Sequence, residues 1–116
     1  MKEFMMIFIG ADYEELGLSP EQLQERMGKW FAWSEKMGKQ GIIRSGEALH
    51  AGGKTIAGPK RVVSDGPYSE SKEIIGGFYV ISVEDMETAM EVAQDFPDYD
   101  LGGIVEIREV MKFDQH

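Results

Sequence analysis

The sequence contains no cysteine, and it has only 4 prolines and 2 histidines among 116 residues. The absence of cysteine excludes a disulfide framework, a thiol nucleophile and a cysteine-based metal site. Basic residues are also few: 12 Lys and Arg stand against 21 Asp and Glu, which gives a net charge of −9. Because such a charge repels phosphate backbones, we expect no direct nucleic-acid partner.

Long hydrophobic segments are absent as well. The longest apolar stretch, residues 4–9, is far shorter than the roughly 20 residues that span a bilayer, and it lacks the small-residue cleavage site of a signal peptide. A chain of this length buries about two-thirds of its surface on folding, which is sufficient for one core. We therefore expect a single soluble domain over residues 1–116, in the cytoplasm and without membrane contact.

The pattern of apolar runs, capping residues and glycines predicts the element order β-α-β, a β-hairpin insertion, and β-α-β. This is the ferredoxin-like split βαβ order, an α+β fold in which one antiparallel sheet carries two helices on one face. The predicted strands cover residues 4–9, 42–49, 78–83 and 104–111, and those of the hairpin cover 54–57 and 60–63.

Local signals place the helices and turns. The first helix begins at Ser19 with a capping box to Gln22, and the second is predicted to begin with a capping box at Ser82 and to end before Pro97. Residues 12–17 are predicted to form an acidic loop, and residues 65–67 a tight turn.

Both faces of the two central strands are apolar. A sheet with helices on one side normally alternates between apolar and polar residues, but here the alternation fails in Phe4, Met5, Met6, Ile7, Phe8 and Ile9, and again in Phe78, Tyr79, Val80 and Ile81. Exposing such a face costs roughly 25 cal/mol per Å², and large apolar patches mark interfaces. We predict a homodimer that packs sheet against sheet. The alternative is that the hairpin folds over this face within one chain.

The most distinctive segment covers residues 65–79, with the sequence DGPYSESKEIIGGFY. It begins with the turn residues Asp65 and Gly66, and Gly76 and Gly77 near its end permit close approach of a backbone or a ligand. Charged residues lie between these two ends and can face one cavity mouth: Glu70, Lys72 and Glu73.

This segment resembles the DGPF motif of the YCII-related family, with Tyr68 where phenylalanine is usual. The resemblance extends over nearly the whole chain, through the Trp30-x-x-Trp33 pattern, residues 46–49, 72–77 and 102–108. It implies a ferredoxin-like protomer and a dimer of facing sheets, as in the dimeric α+β barrel group.

The resemblance implies less about activity. Some members of the family are suspected of being enzymes because of a histidine in the first helix and an aspartate beside a proline in the second half. Alignment places Trp30 and Phe96 at these two positions, so that pair is not carried over. The DGPF branch resembles proteins labelled as transcription-initiation-related through sigma factors, but this acidic chain offers nothing for direct DNA contact.

Three side chains are candidates for acid-base catalysis. Asp65 and Glu73 can act together if their carboxylates converge in an apolar pocket, and His50 titrates near neutral pH. The structural alternatives are a turn at Asp65, an ion pair of Glu73 with Lys72 or Arg61, and a partly exposed loop end at His50.

Aromatic residues and glycines are the candidates for ligand binding. The two tryptophans, three residues apart on one helix, form either a pocket wall or part of the core. The full set of predicted ligand-binding residues is Trp30, Trp33, Glu47, Tyr68, Gly76, Gly77 and Phe78.

Metal and cofactor signatures are missing. The sequence has no HxH or HxxxH pattern, no phosphate-binding loop, no nucleophile elbow and no dinucleotide fingerprint, so we expect neither a metal nor a cofactor. A run of acids without a base is predicted to be a solvated surface: Glu84, Asp85, Glu87, Glu91, Asp95, Asp98 and Asp100.

These observations predict a small dimeric protein that binds a small molecule in a pocket between the sheet and the helices. One alternative is a cofactor-free isomerase, lyase or monooxygenase that uses Asp65, Glu73 or His50, by analogy with other proteins of the fold. A second alternative is an interaction module associated with transcription regulation.

Overall fold

A computed structural model describes residues 1–66 and 74–113 of the chain. None of the helices in these two ranges is long and apolar enough to cross a membrane. The strands are β1 (Lys2–Ile9), β2 (Ile43–Ala48), β3 (Gly53–Ala57), β4 (Val62–Gly66), β5 (Ile75–Val83) and β6 (Ile104–Glu109); the helices are α1 (Tyr13–Leu16), α2 (Pro20–Lys39) and α3 (Met86–Ala93), followed by a 3₁₀ turn (Tyr99–Leu101).

Four strands form one antiparallel sheet in the order β2-β5-β1-β6, and β3 pairs with β4 in a separate hairpin. The predicted α+β class, the ferredoxin-like order and the hairpin insertion are confirmed. Within one chain the sheet is open, with β2 and β6 at its edges, and it is not a closed barrel.

The core lies between the sheet and the two long helices. Phe4, Met6 and Phe8 of β1 are buried on one face of the sheet, as the alternation predicted. They pack in one cluster with residues of the neighbouring elements: Ile81 and Val83 of β5, Trp33 and Met37 of α2, Ala89 and Ala93 of α3, and Phe96. Because burial of a large apolar side chain contributes roughly 1.5–3 kcal/mol, this cluster fixes both helices on that face.

The first capping box is confirmed, and the second is wrong. The backbone N–H of Gln22 donates to Ser19 Oγ at 3.1 Å, and the Gln22 side chain accepts from the Ser19 N–H at 2.8 Å. The second helix is instead capped by Asp85, which accepts from the Thr88 N–H at 2.9 Å. Ser82 stays in β5, where it pairs with Glu3 of β1, because sheet pairing outweighs a local capping preference.

Two further local predictions are corrected. The segment 12–17 is a short helix rather than a loop, since the Asp12 carboxylate accepts from the Glu14 N–H at 3.1 Å and so caps α1. Asp65 and Gly66 do not form a tight turn, because they continue β4 and pair with Lys54 and Gly53 of β3. Pro67, the third residue of that predicted turn, lies outside the described residues.

We call the sheet face opposite the helices the rear face. Directly paired residues share a face, so the register places Phe78 and Val80 beside Ile7 and Met5, and Ile104 beside Ile9. All of them are half-buried except Ile104, which is exposed. The alternative in which the hairpin covers this face has no support in the described residues, because β3 and the described side chains of β4 are exposed along their length.

Candidate functional site

A pocket of about 670 Å³ lies at one end of the sheet. The antiparallel order brings the end of β1, the end of β2 and the start of β5 to this edge, and α1 and α2 complete the walls. The volume falls within the range of small-molecule sites, roughly 300–1,000 Å³. Sequence order alone does not reveal the pocket, because its walls come from five separate segments.

Aromatic rings form the apolar part of the pocket. The Phe8 ring stacks on Phe96 at 5.4 Å with an interplanar angle of 9°, and it meets the edges of Trp30 and Tyr79 at 5.0 and 5.3 Å. Trp30 also contacts Phe96, at 5.5 Å. Each such pair adds about 0.5–1.5 kcal/mol beyond its area burial, so these rings form a rigid wall.

Asp98 is the buried polar group in this apolar wall, with 3% of its surface exposed. Its Oδ2 accepts hydrogen bonds from the Tyr13 hydroxyl at 2.6 Å and from Trp30 Nε1 at 3.2 Å, and Trp30 Nε1 also donates to the Tyr13 oxygen at 2.9 Å. Its Oδ1 is buried and has no hydrogen-bond partner among the described residues. Oδ2 is therefore committed to hydrogen bonds within the protein, whereas the buried Oδ1 makes no hydrogen bond within the two described ranges and has the Arg26 guanidinium beside it.

Arg26 compensates the buried charge of Asp98 and holds the segment that carries it. Its Nη1 lies 3.5 Å from Asp98 Oδ1 and donates to the Pro97 carbonyl at 2.8 Å, and its guanidinium forms two hydrogen bonds with Asp100, at 2.7 and 2.5 Å. The hydrogen bond to Asp100 raises the pKa of Arg26 and lowers the pKa of the Asp100 carboxyl to about 2. A bidentate pair of this kind fixes orientation as well as charge.

The position of Tyr13 depends on a tight bend after β1. Gly10 and Ala11 both have left-handed backbone angles, with φ of 83° and 57°, and the Gly10 N–H donates to the Ile74 carbonyl at 2.7 Å. The left-handed conformation costs a non-glycine residue roughly 1–2 kcal/mol. The bend sets α1 across the pocket, where burial and the hydrogen bond to Asp98 raise the pKa of Tyr13 and keep its hydroxyl protonated as a donor.

The pocket carries further polar groups besides Asp98. The Ser34 and Tyr79 hydroxyls share a short hydrogen bond of 2.5 Å, and Glu47 and His50 line the pocket from β2 and the segment after it. These side chains can donate hydrogen bonds to polar groups at the edge of a ligand, or accept hydrogen bonds from them.

Most of the predicted site residues that the structure describes line this pocket. Trp33 is placed elsewhere: it is buried in the core, where its Nε1 donates to the Val92 carbonyl at 3.1 Å. The pocket-lining members of the predicted set are Trp30, Glu47, His50, Gly76, Gly77 and Phe78.

The predicted carboxylate pair does not meet in the described part of the chain. Asp65 lies on the hairpin with its side chain 88% exposed, outside the pocket, and it pairs with Lys54. Glu73 and Tyr68 lie outside the described residues. Within residues 1–66 and 74–113, no group of three or more acids and histidines is placed to hold a metal ion.

Sequence reasoning missed Asp98 and Tyr13. The acidic run predicts a solvated Asp98, but the residue is buried at the start of the 3₁₀ turn, where it lies beside Arg26. The available signal was the adjacent Pro97, since the family resemblance points to an aspartate beside a proline. Asp98 directly follows Pro97 and lies two residues beyond the aligned Phe96.

The Arg26–Asp100 pair makes stability depend on pH. The folded-state pKa of Asp100 is about 2, below its ordinary 3.8. The contribution of the ionised Asp100 to the stability of the fold is therefore fully present above about pH 4, and it is lost as the pH falls towards 2. We expect Asp100→Asn to lower the melting temperature at pH 7 and the difference from wild type to shrink between pH 4 and pH 2. Melting curves over this range check it, and a constant difference would contradict it.

Residues 4–114 match the family model of the YCII-related domain. No curated protein matches. Among solved structures, the chain is similar to the 5-chloro-2-hydroxyhydroquinone dehydrochlorinase TftG from Burkholderia phenoliruptrix AC1100, in a complex with 2,5-dihydroxybenzoquinone; the identity is 16%, the alignment covers 98% of this chain and 97% of that chain, and the TM-score is 0.48.

Proposed function

The chain belongs to the YCII-related family, and we propose that it binds a small, flat, mainly apolar molecule that carries a hydroxyl or amino group. The observation that carries this proposal is the pocket of about 670 Å³, in which the carboxylate of Asp98 interrupts a wall of aromatic rings.

The chemistry of the pocket selects this class of ligand. The rings of Phe8, Trp30, Tyr79 and Phe96 favour a planar molecule that stacks or packs edge to face. A carboxylate oxygen only accepts hydrogen bonds, so the ligand supplies the donor. A hydrogen bond to a charged group contributes about 1.5–3 kcal/mol.

A cofactor-free enzyme is the second candidate, and the same carboxylate favours it. A carboxylate such as that of Asp98 can accept a proton from a bound substrate, and His50 lines the same pocket as a second acid-base group. Of the carboxylates first proposed for this role, Asp65 lies outside the pocket. The role as an interaction module in transcription stays a prediction.

A thermal-shift screen with hydroxylated and aminated aromatic compounds tests the binding proposal, because a ligand of the folded state raises the melting temperature by mass action. For any compound that stabilises the wild type, we expect Asp98→Asn to weaken binding at least tenfold, since the amide cannot accept on both sides. Asp65→Asn, the same change on the exposed hairpin, is the matched control and leaves the affinity unchanged.

Two results would contradict the proposal: no compound of this class stabilises the protein, or Asp98→Asn binds as tightly as the wild type. Mass spectrometry of each stabilising compound after incubation separates the two candidates. A binding protein returns the compound unchanged, whereas an enzyme converts it, and Asp98→Asn stops the conversion.

For the assembly, we propose a homodimer in which two rear faces pack together. The support is the amount of exposed surface. The chain exposes 8386 Å², whereas a folded monomer of 13.0 kDa exposes roughly 6,300 Å². The excess of about 2,000 Å² shows that the chain is more open than a compact monomer of its mass. The half-buried apolar side chains of the rear face supply the core of this contact.

A further inference from the structure

We propose that the β3–β4 hairpin, residues 53–66, is an arm that packs on a second copy of this chain. The observation is its exposure. Every residue of β3 is exposed, and the β-branched side chains of Ile56, Val62 and Val63 are 66%, 63% and 60% exposed. The proposal rests on the homodimer proposed above, and it assigns the arm a role that the facing sheets do not require.

An isolated two-stranded hairpin is at best marginally stable in water, so the arm needs a surface to pack on. The register places Ile56 directly opposite Val63, so the two side chains share one face of the arm, and the ion pair of Lys54 with Asp65 lies on the same face. Because side chains two residues apart on a strand share a face, the arm presents an apolar pair bordered by charges. This composition is typical of the centre and rim of a protein contact.

The charge of the arm indicates the partner. The arm carries three bases, Lys54, Lys60 and Arg61, and one acid, Asp65, so its net charge is +2; the whole chain carries −9, and the rest of the chain therefore carries −11. A basic element on an acidic protein is attracted to another copy of the same protein. The exposed acids of α3 and the turn before it supply the complementary surface, with Glu84, Glu87 and Glu91.

The position of the arm also favours a second copy. It follows β2, an edge strand of the sheet, and its described side chains lie exposed rather than against the sheet of their own chain. The radius of gyration is 16.0 Å, whereas about 13 Å is expected for a compact chain of this length. In a two-fold dimer the arm contact forms twice, so its contribution to the free energy of association counts twice.

Sedimentation equilibrium tests the arm with two variants. Lys60→Glu with Arg61→Glu reverses the charge of the tip, and Ile56→Ser with Val63→Ser removes the apolar pair. We expect each double variant to weaken dimerisation at least tenfold, and the loss from the charge variant to diminish in high salt. The matched control is Lys29→Glu with Lys39→Glu, the same charge change on exposed residues of α2, which leaves the dimerisation constant unchanged.

The arm proposal is overturned if both arm variants dimerise as tightly as the wild type, or if the wild type is a monomer at tens of micromolar. Ile7→Lys, on the rear face, tests the facing sheets separately. If Ile7→Lys leaves the dimer intact while the arm variants dissociate, the facing-sheet dimer fails and the arm stands. Ligand-induced melting shifts, measured in parallel, report on the pocket independently, and circular dichroism confirms that each variant is folded.

Discussion

Trp33→Ala will lower the free energy of unfolding by about 4 kcal/mol, since truncation of a buried tryptophan costs about 3–5 kcal/mol. The side chain is 4% exposed, and its ring lies within 5.8 Å of the rings of Phe8, Trp30 and Tyr79. Truncation also leaves the Val92 carbonyl without the indole donor. Urea denaturation followed by circular dichroism measures the loss.

The matched control for this prediction is Phe31→Ala, on the same helix. The Phe31 side chain is 67% exposed, so its removal changes stability by about 0.5 kcal/mol or less. If Trp33→Ala keeps its stability but loses ligand binding, Trp33 is a pocket residue, as its spacing from Trp30 first predicted. If it loses stability as expected, its role is to support the Trp30 ring from behind.

Gly77→Ala will also be strongly destabilising, with a loss of about 3 kcal/mol from backbone strain and overpacking together. Gly77 has a φ of 155°, and a Cβ placed on it would lie 2.6 Å from the Glu47 carbonyl oxygen and 3.2 Å from Ala48 Cα. Both are backbone atoms of β2, which cannot move without breaking its pairing with β5.

The neighbouring glycine provides the control. A Cβ on Gly76 would have the Phe8 carbonyl oxygen as its nearest contact, at 4.0 Å, so Gly76→Ala will change stability by less than about 1 kcal/mol. Urea denaturation of both variants checks the contrast. Equal stability of the two would show that the approach of β2 to Gly77 is not a constraint. Under our expectation, Gly77 shapes the pocket by bringing β2 close, whether or not it also contacts a ligand.

Much of the fold could be predicted from local sequence. A few neighbouring residues are enough to recognise the apolar alternation in β1, the Ser19 capping box and the paired glycines. The resulting order of elements is compatible with few topologies. Local preference gives the wrong prediction at two residues. Ser82 pairs with Glu3 in the sheet instead of capping a helix, and Asp65 pairs with Lys54 instead of forming a turn. In both cases the partner is supplied by another strand.

The candidate site was predictable only in part. Trp30, Glu47, His50 and the glycines reach the pocket because they lie at element ends that the topology brings together. Trp33 lies about one helical turn after Trp30 on the same helix, but its side chain is buried in the core. Apart from the adjacent Pro97, nothing in the sequence near Asp98 separates it from the exposed Asp95 and Asp100, because its ion-pair partner is Arg26, 72 positions earlier in the chain.

The amino-acid sequence by itself determined the class of fold, the apolar character of both sheet faces and the acidity of the chain, since these follow from composition and from the two-residue and 3.6-residue periods. Only the tertiary structure decided which acid is buried, which tryptophan faces the pocket and which glycine meets a backbone. Those outcomes depend on contacts between residues distant in the sequence, and the free energy of each contact exists only once the chain has brought both partners together.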